Sequence, residues 1–468
     1  MGFPKTGKWA MLPVILSLSL PTMLEQLMQT AVQYIDTAMV GSLGTSATAA
    51  VGVTTTVNWL VNSSITALGV GFLAFISRCC GAGDRDGAAR AAGQAVLAVG
   101  VVGTVYTALA LSLSSRIPVW MQADPAIRET AARYFFILSL PILPRAASIL
   151  LGTVLRAAGD TRTPMKIGLL VNVVNVALNF LLIYPARQLA LGPWTLPLPG
   201  AGLGVEGAAA ASAAAFTLGG LCTAVAVWRH PIISPRGRRL RPDRQVLVPC
   251  LRVALPNMLQ RFAANLGYVA FASMINALGE TATAAHTIAN TVESAFYIPG
   301  YGMQTAAATL AGNALGAGDR QRMRDLTAML IPIEVTLMAV SGGLLFLLAP
   351  DMVGLFSHSA AVIVLGAAVL RMVALSEPFY GVSIILEGVL QGVGQTRVPF
   401  VFNLTGMWGV RILGTLICTR LLGLGLVSAW GCMIAHNLLL FVAYAVYFRH
   451  GRWDPLGRAG QATSGGIT

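Results

Sequence analysis

Asp36 stands in YIDTAMVG, inside an apolar stretch that runs on to about Val40. A charge near the middle of a membrane-crossing helix costs about 2.5–3.5 kcal/mol on insertion scales, so an acid there usually has a role. The competing reading is a helix-end residue that faces headgroups or water. Further along, Asn172, Asn175 and Asn179 recur at offsets of three and four, which puts them on one face of an α-helix. A carboxamide carbonyl is a hard neutral oxygen that suits a sodium ion and can also accept from a protonated acid. Amides equally serve as plain hydrogen-bonding groups between membrane helices, the reading favoured for Asn172.

The second half of the chain has its own polar candidates in Gln260, Asn265, Glu293, Gln304, Glu377 and Glu387. Glu377 precedes Pro378 and has a bland reading at a helix kink. Arg411 follows Trp408 in an apolar run and is expected to form a salt bridge or to snorkel to the interface. The five histidines are dispersed, with no Ser-His or Cys-His constellation, so an intramembrane enzyme is a distant alternative. The six cysteines lack both metal-ligand spacing and a secreted disulfide pattern. GAGDR, at 81–85 and 316–320, lacks the spacing of a phosphate-binding loop and reads as a tight turn, with Asp84 or Asp319 capping the next helix. No cofactor and no nucleotide are expected.

The elements that must carry these residues follow from composition. Hydrophobic residues make up 56% of 468 positions and charged residues only 10%, against about a quarter charged in soluble domains. Apolar runs fall near 10–39, 47–77, 91–114, 131–155, 165–184, 207–228, 246–276, 283–311, 327–349, 365–391, 399–420 and 425–448. Each can supply the roughly 20 residues that a spanning helix needs. Lys5 and Lys8 precede a first run too long for a cleaved leader, so that run is read as a retained span. The net charge of +13 comes from bases at the ends of apolar runs, which argues for membrane orientation and against nucleic acid. Arg78, Arg85 and Arg90 follow the second run, Arg156, Arg162 and Lys166 the fourth, and Arg229 to Arg244 the sixth. The loops at 41–46 and 185–206 carry almost no base, so the positive-inside rule puts both termini in the cytoplasm.

Four separated windows repeat at one ungapped offset of 235 residues: LPTML at 20–24, MVGSLGTSATAA at 39–50, GAGDR at 81–85 and SILLGTVLRAAGDTRTP at 148–164. An offset of six helices keeps the orientation. The expected fold is therefore an all-α membrane protein of about twelve transmembrane helices, in two six-helix bundles related by a pseudo-two-fold axis along the membrane normal. Residues 1–228 form the N-terminal lobe, 229–245 a basic cytoplasmic linker, 246–448 the C-terminal lobe and 449–468 a cytoplasmic tail. At this offset Asp36 meets Phe271, Asn175 meets Val410 and Asn179 meets Gly414, so this polar set belongs to the first half alone.

LPTMLEQLMQTAVQYIDTAMVG at 20–41, the GAGDR turns, LRAAGDTRTP at 155–164, GVEGAAAAS at 204–212 and ESAFYIPGYG at 293–302 together resemble the MATE family, the multidrug and toxic compound extrusion transporters. The resemblance covers roughly 10–450. It implies export of organic, often cationic, compounds in exchange for inward H⁺ or Na⁺, through a central cavity open alternately to each side. It implies a cell (plasma or inner) membrane location, small organic substrates, the lipid bilayer as surroundings, and an expected monomer. It makes Asp36 the coupling acid, supported by Asn175, Asn179 and the Ser212 hydroxyl, with Na⁺ at that site as the one metal expected. Gln260, Asn265, Glu293, Gln304 and Glu377 would line the substrate pathway. Some family members carry an acid where Asn179 stands and another in the seventh helix, and this chain has neither. A lipid-linked-saccharide flippase of the related superfamily is the nearest alternative, but it calls for several cationic cavity residues and extra helices.

The orientation is testable with a C-terminal reporter active only in the periplasm. It should stay silent, while a cytoplasmic reporter fused at the same point should be active. The reverse result contradicts the charge reading.

Overall fold

The computed structural model describes residues 11–191, 194–237, 240–451 and 453–457, the side chains of 187–198 excepted. Lys5, Lys8, Arg238, Arg239 and the tail beyond 457 lie outside the described residues. The helices are α1 (Leu12–Gly41), α2 (Thr45–Gly81), α3 (Arg85–Leu113), a short α4 (Ile117–Trp120), α5 (Pro125–Ser139), α6 (Ile142–Ala157), α7 (Arg162–Leu182) and α8 (Gly204–Arg229). They continue with α9 (Arg244–Asn276), α10 (Glu280–Gly316), α11 (Arg320–Gly354), α12 (Ala360–Ala374), α13 (Glu377–Gly392), α14 (Arg397–Leu404), α15 (Leu413–Leu416) and α16 (Leu426–Arg449). π-helical turns at Thr405–Ile412 and Ile417–Leu421 flank α15 and make one continuous span from α14 onward.

The described residues of the twelve expected runs are almost all helical, with breaks at 140–141 and 375–376. Among the described residues, seven helices pass on length and apolarity as spans, and nine do so when each bent pair is taken as one. The bends were not expected. α5 and α6 meet at 51°, α12 and α13 at 53°, and each break adjoins a proline, Pro141 or Pro378. Proline has no amide hydrogen to donate to the preceding turn, so the ladder stops and restarts. Residues 185–206, expected as a loop, instead hold an antiparallel hairpin of β1 (Pro185–Leu191) and β2 (Trp194–Ala201).

The 235-residue repeat reappears in the backbone. α5 and α12 share their bounds at that offset, as do α6 and α13, and the starts of α2, α3 and α7 fall on those of α10, α11 and α14. The left-handed glycines follow the same rule: Gly44 with Gly279, Gly83 with Gly318 and Gly159 with Gly394. In the GAGDR turn Asp319 caps α11 by accepting from the Arg322 amide at 2.9 Å.

The chain divides into two compact units. One comprises residues up to Gln26, Leu73–Asp84 and Val248 onward; the other comprises Leu27–Phe72 and Arg85–Leu247. In the first unit Ile15, Leu18, Leu310, Leu330, Val389 and Tyr444 form one core, and Phe271, Leu345, Val369 and Trp430 form another. In this unit too, the end of α2 crosses the end of α10 with no side chain between the backbones. A Cβ at Gly81 would strike the Asn313 carbonyl, and one at Gly316 would strike the Arg78 carbonyl. Residues 78 and 313 are equivalent in the repeat, as are 81 and 316, so the contact is reciprocal. Beyond α16, Asp454 is 1% exposed and accepts from Arg320 Nε at 2.6 Å, with Arg324 at 3.4 Å. Burial alone would raise this carboxyl, but the bonds from Arg320 and the Gly457 amide and the nearby positive charges hold it below its ordinary value.

Gly81→Ala and Gly316→Ala should each destabilise the protein by about 1–3 kcal/mol, the usual range for overpacking. Gly100→Ala, with open space around it, should stay within about 0.5 kcal/mol of the parent. Thermal unfolding in detergent reads the difference. Equal behaviour of the three variants would remove the backbone crossing as a constraint.

Candidate functional site

Three helices of the second unit build the site. α7 begins where Asp160 accepts from the Thr163 amide at 3.0 Å, just after Gly159 takes φ 87° to end α6. Its two faces then separate by chemistry: Val173 and Phe180 are 60% and 48% exposed, as suits lipid, while Asn175 and Asn179 are 5% and 1% exposed. α8 comes close because its contact positions are small. A Cβ at Gly207 would strike the Leu182 carbonyl, one at Gly219 would meet Val171, and one at Gly220 would strike Pro144. This is the close approach that small residues permit in membranes, and it brings Ser212 opposite Asn175.

α1 supplies the acid. Asp36 is half-buried and accepts from Asn179 Nδ2 at 2.6 Å. The Asn175 amide is satisfied when its nitrogen faces the acid. With its nitrogen toward the acid, it donates to Asp36 Oδ1 at 2.9 Å and Oδ2 at 3.2 Å, while its carbonyl accepts from Ser212 Oγ at 3.1 Å. Turned over, the nitrogen could still donate to Ser212 Oγ at 3.1 Å, but the carbonyl would face both Asp36 oxygens, at 2.9 and 3.2 Å. The first orientation serves an ionised carboxylate. The second puts a carbonyl oxygen against the acid, which requires a proton on Asp36. Asn179 Oδ1 is buried without a partner among the described residues, so a neutral oxygen remains on this amide to meet a proton donor or a small cation.

The sequence expectation for Asp36, Asn175, Asn179 and Ser212 thus corresponds to one hydrogen-bonded cluster. Asn172 lies outside it, and its Nδ2 has no partner among the described residues. The remaining candidates lie in the other unit. Gln260 donates to Glu387 Oε1 at 2.9 Å, joined by Gln391 at 3.1 Å, with Asn403 at 3.3 Å from Oε2. Gln304 is buried where Gly388 packs on it, Asn265 is half-buried on α9, and Glu293 and Glu377 are 6% and 2% exposed. Glu377 opens α13 at the bend, as its proline neighbour suggests. Arg411 does not snorkel. It is 4% exposed, with its guanidinium 4.1 Å from the Phe271 ring centroid and 5.0 Å from that of Tyr268. It makes no ion pair among the described residues, because the two aromatic faces take the place of a carboxylate.

Sequence reasoning passed over two groups. Arg145 on α6 packs over Phe216 at 4.4 Å, and its Nη1 is unpaired. Glu334 on α11 is fully buried. Each is a charge within an apolar run, PILPRAAS and IPIEVTLM, and that signal alone would have marked them. Among the described residues, no group of three or more His, Cys, Asp or Glu gathers in a metal-holding arrangement.

Comparison with known proteins bears on the whole chain. The family model MatE matches residues 21–181 and again 256–417, the two matches starting 235 residues apart. A probable multidrug resistance protein NorM of Thermotoga maritima is 25% identical over 440 residues, covering 94% of this chain and 92% of its own length. Multidrug resistance protein PmpM of Pseudomonas aeruginosa is 26% identical over 406 residues, 86% and 83% of the two chains. Among solved structures, an outward-facing multidrug resistance MATE transporter superposes with a TM-score of 0.87 at 23% identity, covering 95% of this chain and 96% of that one. A MATE solved in complex with the ligand MaL6 gives 0.86 over 95% and 97%. At these identities the structural likeness speaks for the twelve-helix, two-bundle fold.

Within the cluster, Asn179→Ala removes a short bond to a charged acceptor and should cost about 1.5–3 kcal/mol. Ser212→Ala removes a neutral pair and should cost about 0.5–1.5 kcal/mol. Asp36→Asn combined with Asn179→Ala should cost less than the sum of the single changes, because the residues share one bond. Strict additivity in thermal unfolding would mean that the cluster is not energetically coupled.

Proposed function

The chain belongs to the MatE family, and on that premise we propose that it is a secondary active exporter. It moves organic, often cationic, compounds out of the cell in exchange for inward H⁺ or Na⁺. The observation that carries this reading is the Asp36 cluster. An acid from α1 is met inside the protein by two amides from α7 that donate to it. Coupling needs such a group, one whose charge or ion occupancy changes without breaking the fold. Asp36 binds the coupling ion, Asn175 and Asn179 follow its charge state, and Ser212 anchors the Asn175 amide. Asn179 Oδ1 and the carboxylate offer hard oxygens to Na⁺, and the carboxylate can equally take a proton.

Pro21 lies within α1, ahead of Asp36. It leaves a missing backbone bond at which the helix can bend as the acid changes state. In this reading the lobes 1–228 and 246–448 alternate access to a central substrate site. Both termini are cytoplasmic, and the protein works as a monomer in the plasma or inner membrane. The ion gradient is the energy source, and no chemical reaction is catalysed.

Proteoliposomes with separately imposed proton and sodium gradients test the proposal. Wild-type protein should expel a cationic dye under one of the two gradients. Asp36→Asn should abolish this export while dye binding in detergent persists. Asn179→Asp should keep export and shift the preference between the ions. Normal gradient-driven export by well-folded Asp36→Asn protein would sink the assignment.

A further inference from the structure

Two of the six cysteines meet. Cys418 lies in the π-helical turn that ends the span begun by α14, and its Sγ is 3.8 Å from Sγ of Cys432 on α16. Both thiols are free. The residues stand 14 apart in the chain, a spacing that carries no meaning until the short connection at Leu422–Gly425 folds α16 back against the span.

A glycine makes the meeting close. A Cβ at Gly414, four residues before Cys418, would come within 3.1 Å of Cys432 Sγ and 3.5 Å of its Cβ. Cys432 therefore rests over bare backbone, with Cys418 as its neighbour about one turn further on. A disulfide holds its sulfurs about 2 Å apart. From 3.8 Å, each sulfur has about 1 Å to travel, a change that side-chain rotation supplies. The backbone here can also adjust, because the turns on either side of α15 are π-helical, a form in which the α-helical ladder is interrupted. At the 235 offset Cys418 meets Ile183, so the duplicated fold has no need of a thiol at this position.

Both residues are half-buried and neither is sealed off. Hydrogen peroxide is small and uncharged, so it reaches thiols that a protein oxidant is too large to approach. One thiol, as its thiolate, attacks peroxide. The O–O bond breaks, one oxygen stays on sulfur as a sulfenic acid, and the other leaves as hydroxide, which takes up the thiol proton to give water. The second thiol then attacks that sulfur. The S–O bond breaks, the S–S bond forms, and hydroxide leaves with the second thiol proton as another water. The two thiols give up two electrons in all, and one peroxide is reduced to two waters. An isolated sulfenic acid is open to further oxidation, whereas here the second thiol is already in contact and the closing step is intramolecular.

We propose that Cys418 and Cys432 form a redox-sensitive pair, which peroxide closes to a disulfide that ties α16 to the π-helical span and which a dithiol reductant reopens. The pair does not depend on the export reading. Full-length protein in liposomes, first reduced, then treated with one equivalent of peroxide, alkylated and digested, tests it. Mass spectrometry should find the Cys418 and Cys432 peptides joined, lighter by two hydrogens than their sum. Dithiothreitol before alkylation should return both as separate alkylated peptides. Cys222, on α8 of the other unit, should enter no linked peptide. Cys418→Ser should lose the link and leave Cys432 open to the sulfenic-acid reagent dimedone, and Cys432→Ser should do the reverse at Cys418. The wild-type readout stands by itself if either variant fails to fold. Alkylation of both cysteines unchanged by peroxide overturns the proposal, as does their passage to sulfinic acid with no linked peptide. Linkage of either residue to another cysteine at equal yield overturns it too.

Discussion

Below the membrane surface no water is available to answer a polar group, so each one must be answered by protein, by a proton or by an ion. The backbone meets this demand with helix along nearly the whole described chain, and where a proline breaks the ladder, at Pro141 and Pro378, the chain bends and starts a new helix. Side chains face the same demand one by one. Asp36 meets it with amides, Arg411 with aromatic faces, and Glu387 with donors from Gln260, Gln391 and Asn403. Glu334 has no partner for either carboxyl oxygen among the described residues.

Duplication explains how one fold holds two different polar interiors. The backbone is held constant at the 235 offset by turn glycines, helix starts and the reciprocal crossing of Gly81 and Gly316. These are steric requirements, and a side chain at the crossing would part the helices. The polar residues carry no such duty and have diverged. Phe271 stands at the Asp36 position, and its ring carries the Arg411 guanidinium. An acid in one half is thus answered by an aromatic platform for a base in the other. The second half takes its acids from positions that are amide or aliphatic in the first.

The sequence by itself determined the membrane class, the twelve runs, the repeat and the shared helix face of Asn175 and Asn179. Each rests on a periodic or additive signal: apolarity summed over some 20 residues, identity summed over windows, and the three-and-four spacing of Asn175 with its neighbours. Asp36 could be singled out because a lone acid in an apolar run is expensive wherever its partners are. The same signal was available for Glu334 and Arg145, but their apolar runs supplied no patterned neighbours to suggest a purpose.

Only the tertiary structure decided what each polar group meets. Asn175 and Asn179 share a face in the sequence, but that this face turns to Asp36 and Ser212 depends on how closely α8 approaches α7, through glycines whose role is invisible until the helices pack. Arg411 read as a salt-bridged or snorkelling base because spacing cannot reveal that Phe271 and Tyr268, some 140 residues earlier, lie against its guanidinium. Local sequence fixes helix and face through backbone bonds a few residues apart. The electrostatic environment of a buried charge is set within a few ångströms by side chains far off in the chain, and only packing brings those together.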